Sequence, residues 1–308
     1  MENKNICSHY PTKTEIDEWV DRLWDASFRM PCEAISMHTA CIHNACGAMH
    51  MNRTTLLRFT QPGMRPFYGM WSRAMNGPRP LVVHLPGYGS ELSTHLDLAA
   101  ENYNLLELVP MGYWTPEGFD ESLRHPKTGT WPVLTQSVVS PYENEGYWGW
   151  MLNAVGAIKW ALAQPSVLPE RVSFFGTSQG GGTALLLGSI FREHGTRCVC
   201  ADEPFLTNYP MSTFRGAYDC IRAGFENTDE AQGWKNLGFV DTVCHAHRME
   251  YPVLLTLGTA DVVCPPETIQ TLYDRLETDK MLFSMRGRGH GHQFEFVRHV
   301  STYLELYA

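Results

Sequence analysis

From residue 80 onward, short apolar runs alternate with longer amphipathic stretches, and this alternation limits the architecture more than any other feature. Leu81–Leu85, Asn104–Val109, Arg171–Gly176, Arg197–Ala201, Pro252–Gly258 and Met281–Met285 read as strands. Trp148–Ala163, Gly181–His194, Pro266–Glu277 and Phe294–Leu306 read as helices. The strand runs are continuously apolar rather than alternating, which is the pattern of strands covered on both faces. Together they predict an α/β fold with a mostly parallel central sheet flanked by helices. Two segments, about 110–147 and 203–249, break the alternation. The first is rich in Gly, Pro, Tyr and Trp without a period, and the second is partly helical. Long connections of this kind usually serve as lids or binding loops, and in open α/β sheets they gather at the carboxyl ends of the strands.

Ahead of this region, Ile16, Trp19, Val20, Leu23 and Trp24 fall at helical spacing within residues 14–30. Thr14 with Asp17 resembles a capping box for that helix. Next, Cys32, His38, Cys41, His43, Cys46 and His50 crowd together, with Met37, Met49 and Met51 among them. Thiolate and imidazole are zinc ligands, but the spacing fits no zinc pattern. A structural or surface role is therefore assigned, and no metal is expected. The expected organisation is an extension over residues 1–54, packed on a single domain over 55–308.

Composition narrows the partners. Lys and Arg total 24 against 33 Asp and Glu, a net charge of −9, and no basic run is present. That argues against nucleic acid and anionic membrane as partners. No apolar run approaches roughly 18 residues, and residues 1–30 lack an apolar leader core. Nine cysteines, an odd number in a long chain, read as reduced thiols in a cytoplasmic setting.

The chemistry lies in Gly176-Thr177-Ser178-Gln179-Gly180, a G-x-S-x-G motif between a strand and a helix. That context is a nucleophile elbow: small neighbours let a serine sit on a sharp turn, hydroxyl outward. It aims the Gln179 N–H at a developing oxyanion. A serine hydroxyl needs a base, and the base needs an orienting group. Asp261 stands just past the strand ending at Gly258, where it can orient a histidine. The Gly-rich stretch Gly287-Arg288-Gly289-His290-Gly291-His292 follows the next strand and offers two bases, His290 and His292. Pro86-Gly87-Tyr88-Gly89 is the second oxyanion loop, with Tyr88 N–H as donor and Gly89 N–H as the alternative. Tyr113, Trp114, Trp131, Tyr147 and Trp148 lie in or near the first insertion. They read either as the lining of a sugar cleft, Tyr113 and Trp114 above all, or as loop packing. Cys264 reads as a small buried thiol.

These segments resemble the acetyl xylan esterase / cephalosporin C deacetylase family of α/β-hydrolases. The likeness rests on Gly176 to Gly181, on Asp202-Glu203-Pro204-Phe205-Leu206, and on Gly258 to Thr268 with its Asp-x-x-Cys-Pro-Pro-x-Thr pattern. It runs in order over roughly residues 55–306. The resemblance implies an α/β-hydrolase fold with Ser178 as nucleophile, Asp261 as orienting acid, and Tyr88 and Gln179 as oxyanion donors. Ungapped spacing from Leu282 puts the family's histidine at His290. It also implies a cytoplasmic homo-oligomer without cofactor that deacetylates acylated saccharides. Three departures stand out. Pro86 precedes Gly87-Tyr88 where the family has His-Gly-Tyr. Met111-Gly112-Tyr113 stands where it has Arg-Gly-Gln, and Gly291 follows the histidine where it has Glu. Expected, then, is a serine esterase for acetyl groups on sugars or related small esters. The alternatives are longer acyl esters, thioesters or peptides as substrates, or a non-catalytic binding protein.

Overall fold

The computed structural model describes residues 9–37, 54–74, 76–92, 95, 102–291 and 294–308. The first helix, α1 (Lys13–Arg29), is capped by Thr12 and Glu15. Glu15 N–H donates to Thr12 Oγ1 at 3.3 Å, and Thr12 N–H donates back to Glu15 Oε2 at 2.8 Å. The capping box thus lies two residues before the expected Thr14/Asp17 pair. Asp17 instead faces Arg248, which brings α1 onto the domain. Ile16, Trp19, Val20 and Leu23 are buried along one helix face. Trp19 Nε1 donates to Pro141 O at 3.0 Å, and its ring meets Trp148 edge-on at 5.6 Å.

Nine described strands make one sheet: β1 (Glu33–Ser36), β2 (Thr54–Thr60), β3 (Phe67–Ser72), β4 (Arg79–Leu85), β5 (Asn104–Val109), β8 (Val167–Thr177), β9 (Thr196–Asp202), β10 (Val253–Gly258) and β11 (Lys280–Met285). Their order is β1-β2-β3-β5-β4-β8-β9-β10-β11. The pairings from β5 through β4 to β11 are parallel, as the apolar runs predict. The pairings among β1, β2, β3 and β5 are antiparallel and extend the sheet on one side. Sequence reading passed over these first three strands. Helices α3 (Tyr147–Leu162), α4 (Gln179–Ile190), α6 (Pro266–Arg275) and α7 (Phe294–Tyr307) match the predicted helical stretches within a few residues. This is the α/β-hydrolase arrangement of a mainly parallel sheet between helices.

The two insertions carry short elements. The first holds a small hairpin, β6 (Trp114–Thr115) with β7 (Gly118–Phe119), and helix α2 (Val133–Val139). The second holds short helical turns and α5 (Glu230–Gly238). They interlock: Asn236 Nδ2 donates to Val138 O and Val139 O, both at 2.9 Å. Among the described residues, no helix is long and apolar enough to cross a membrane. Of the Cys/His-rich segment only Cys32 is described here, a half-buried free thiol. The other five Cys and His residues lie outside the described residues.

Candidate active site

Ser178 joins β8 to α4 with φ 56° and ψ −118°, a conformation that L-residues rarely hold. Such a residue costs about 1–3 kcal/mol and persists only where its surroundings impose it. Here they do. Ser178 N–H donates to Asp202 O at 2.8 Å, and Ser178 O accepts from Gly182 N–H at 3.0 Å and Phe205 N–H at 2.9 Å. Gly176 and Gly180 are required by space. A Cβ on Gly176 would lie 2.5 Å from Leu85 O, and one on Gly180 only 1.9 Å from the same oxygen.

Asp261 follows β10. Its Oδ1 is fixed by Val263 N–H at 2.7 Å and Cys264 N–H at 2.9 Å, leaving Oδ2 for His290 Nδ1 at 2.7 Å. His290 Nε2 lies 2.9 Å from Ser178 Oγ. The tautomer that serves both bonds carries its proton on Nδ1, so Nε2 accepts from the hydroxyl. Burial pushes the imidazole's pKa down, but the Asp261 hydrogen bond and the nearby Asp261, Glu203 and Asp202 charges outweigh it, and the net shift is upward. A base raised in this way, beside a hydroxyl and backed by a carboxylate, can take the hydroxyl proton. Cys264 is buried beside Asp261, and burial drives its thiol well up, which leaves it an inert thiol.

Two further carboxylates converge here. Asp202, at the end of β9, accepts from Thr177 Oγ1 and Thr256 Oγ1, and burial raises it to about 6. Glu203 is fully buried and raised to about 7, again chiefly by burial. Both lie in the Asp202-to-Leu206 segment that carries the family likeness, but the sequence assigned neither of them a role at the site.

The loop after β4 forms the opposite wall. A Cβ on Gly87 would lie 3.8 Å from Ser178 Cβ, so the main chain that leads into Tyr88 passes beside the serine. Gly89 takes φ +67°, which closes the turn. The Tyr88 hydroxyl accepts from Trp131 N–H at 3.1 Å and turns its side chain toward the first insertion. The Gln179 side chain is tied to the Tyr147 hydroxyl at 2.8 Å. Its main-chain N–H stands in the first turn of α4, where no intrahelical partner exists. His292 lies outside the described residues.

A cleft of about 270 Å³ opens at Ser178, lined by Tyr88, His84, His95, Phe175, His290 and Phe296 among others. Its floor contains a buried cluster that sequence reading also passed over. Glu107 Oε1 accepts from His95 N–H at 3.0 Å and meets His95 Nδ1 at 2.7 Å, and His84 pairs with Glu107 across β4 and β5. The signal was available: His84 and Glu107 interrupt otherwise apolar strands. Among the described residues, two groups bring three metal-ligating atoms within 4.8 Å of one another. One is Asp261, Cys264 and His290. The other is His84, His95 and Glu107, where the bonds of His95 to Glu107 tie the loop after β4 to the sheet.

The aromatic residues of the first insertion are packed rather than lining this cleft. Tyr113 stacks on Trp131 at 4.1 Å, and both border a separate hollow of about 330 Å³ with Arg65, Met111 and Asn153. Trp114 is buried edge-on against Tyr68, and Tyr147 and Trp148 are likewise buried. These rings thus pack against one another and the core, and Tyr113 and Trp131 also face the second hollow.

Comparison with known proteins places this geometry. The chain is similar in structure to acetyl xylan esterase 1 from Thermoanaerobacterium sp. JW/SL YS485, with 21% identity, a TM-score of 0.81, and coverage of 97% of this chain and 95% of that one. It is similar to an acetyl xylan esterase from Paenibacillus sp. R4, with 20% identity, a TM-score of 0.76, and both chains covered in full. Est1E from Butyrivibrio proteoclasticus shares the fold at 11% identity and a TM-score of 0.55, over 82% of this chain and 96% of that one. With a sequence match from residue 8 to residue 305, the chain belongs to the acetyl xylan esterase (AXE1) family, serine hydrolases that act on small acyl esters.

Proposed function

We propose that this enzyme removes acetyl groups from a saccharide through Ser178, His290 and Asp261. The observation that carries the reading is the unbroken hydrogen-bond chain from Ser178 Oγ through His290 to Asp261, at 2.9 and 2.7 Å. His290 takes the hydroxyl proton as Ser178 attacks the acyl carbonyl. Asp261 stabilises the imidazolium that forms, and the main-chain N–H groups of Tyr88 and Gln179 receive the oxyanion. The tetrahedral intermediate then collapses, and His290 hands its proton to the departing sugar oxygen, which leaves as a hydroxyl. Water, deprotonated by the same histidine, releases acetate from the acyl-serine. Each oxyanion donor contributes about 3 kcal/mol to lowering the barrier. A cleft of about 270 Å³ suits a short acyl group. The family's tendency to assemble supports a homo-oligomer, which light scattering tests, and a cytoplasmic setting is tested by cell fractionation.

The decisive assay compares p-nitrophenyl acetate with the butyrate and octanoate esters, then acetylated xylo-oligosaccharides, using Ser178→Ala as blank. Acetate preference that vanishes in the variant is the expected result. Preference for octanoate refutes the acyl-group assignment, and full activity of a folded Ser178→Ala protein refutes the triad.

A further inference from the structure

The nitrogen of His290 that bonds Asp261 has a second carboxylate beside it. Glu203 Oε2 lies 3.4 Å from His290 Nδ1, against 2.7 Å for Asp261 Oδ2. The same oxygen accepts from Gly291 N–H at 2.8 Å, so Glu203 grips the residue directly after the histidine. The position is built. Glu203 is fully buried and holds φ 42°, in the left-handed region that favours glycine. Its N–H donates to Thr256 Oγ1 at 3.0 Å. A Cβ on Gly258 would lie 2.9 Å from Glu203 Oε1, so glycine at the end of β10 leaves the side chain its room. Among the described residues, four titratable groups face Glu203: Asp202 beside it in sequence, Asp261 and Cys264 after β10, and His290 after β11. Of these only His290 can become a cation.

We propose that Glu203 is a second positioning carboxylate for His290, which anchors the histidine loop through Gly291 N–H and adds its charge to that of Asp261 on the imidazolium. The inference rests on the triad reading above. Ionised Glu203 favours the protonated histidine, because a negative charge at this distance in a buried site stabilises a neighbouring cation. It also makes Asp261 less indispensable than a lone orienting acid, since one carboxylate remains when the other is neutralised. Burial places the Glu203 carboxyl at about 7, so it is partly ionised across neutral pH.

Glu203→Gln separates the two parts of the role, because an amide oxygen still accepts from Gly291 N–H but carries no charge. The test measures kcat/KM for p-nitrophenyl acetate against pH in the wild type, Glu203→Gln, Asp261→Asn and the double variant. Removing the Glu203 charge lowers the histidine pKa, so the acidic limb of Glu203→Gln moves to lower pH. Asp261→Asn keeps serine-dependent turnover at least about tenfold above the double variant, equal to about 1.4 kcal/mol. Glu203→Asp draws the carboxylate back by one methylene and moves the limb in the same direction by less. This arm decides the matter if Glu203→Gln does not fold. An acidic limb unmoved in folded Glu203→Gln or Glu203→Asp overturns the proposal, as does a double variant no slower than Asp261→Asn. Failure of the triad reading is distinct: it appears as turnover that survives in Ser178→Ala or His290→Asn.

Discussion

Replacing Gly180 by alanine tests how the serine turn and the oxyanion loop are held together. The new methyl would lie 1.9 Å from Leu85 O and 2.6 Å from Leu85 C and Pro86 O, all main-chain atoms. Ordinary contact begins near 3.4 Å, so relief requires a separation of about 1.5 Å between the end of β4 and the start of α4, an overpacking that cores resist. No flexible side-chain tip is available to absorb it. Leu85 and Pro86 lead directly into Gly87 and Tyr88, so the shift falls on the loop assigned to the oxyanion. A misplacement of about 1 Å near the reacting atoms costs on the order of 100-fold in rate, equivalent to about 2.7 kcal/mol in the barrier. Overpacking adds about 1–3 kcal/mol of lost stability. The expected Gly180→Ala protein folds, melts several degrees lower, and hydrolyses p-nitrophenyl acetate at least 100-fold more slowly, chiefly through kcat. Wild-type kcat in a folded Gly180→Ala variant would refute the claim that this glycine sets the distance between the two walls.

Three further outcomes follow from burial and charge. Burial depresses buried His245 to about 3, while Ser189 Oγ and Phe239 O hold its two nitrogens at 2.8 and 3.0 Å. Its folded pKa lies below the unfolded value of 6.5, so stability falls by about 1.4 kcal/mol per pH unit as pH drops below that value. Urea unfolding at stepped pH should show this slope, reduced in His245→Asn. Trp19→Ala, which empties the interface of α1 with the domain, should cost about 3–5 kcal/mol in urea unfolding. A loss under 1 kcal/mol would mean that α1 contributes little to holding the domain together. Ser178→Gly should relieve the strained φ of 56° and raise the unfolding free energy by about 1 kcal/mol while abolishing turnover. A variant less stable than wild type would show that the turn is not strained.

The parallel half of the sheet was legible because a strand buried on both faces writes a continuous apolar run. The antiparallel half was not. Thr54–Thr60 mixes threonine and arginine with leucine, and Phe67–Ser72 contains Gly69, which reads as a break. In the fold Gly69 is a point of close approach, where a Cβ would lie 2.8 Å from Glu107 O. Ser178 was legible because its turn is local, with strand, small neighbours and helix all within a few residues. Asp261 and His290 were legible as residues at strand ends, and the choice of His290 over His292 came from family spacing rather than from local physics. Glu203 was not legible, because nothing near β9 in sequence announces that its side chain meets a loop some ninety residues later. The aromatic insertion leaves both readings open for a related reason: rings in an aperiodic segment signal a surface, but not whether ligand or protein covers it. Thr12 and Thr14 offer two similar starts to one helix, and the partner that reaches back, Glu15, decides between them.

The main chain of Ser178 is bonded to the ends of two other segments: its N–H to Asp202 and its carbonyl to Phe205 as well as Gly182. The serine that holds a positive φ at the cleft is therefore also a knot where β8, β9 and the second insertion meet. A knot of this kind has no soft way to come undone. Slow amide exchange at Ser178 and Phe205 should have the same free energy as exchange in the central strands. In rising denaturant, esterase activity should disappear with the fold itself, without an earlier phase in which a folded protein has lost its catalytic power.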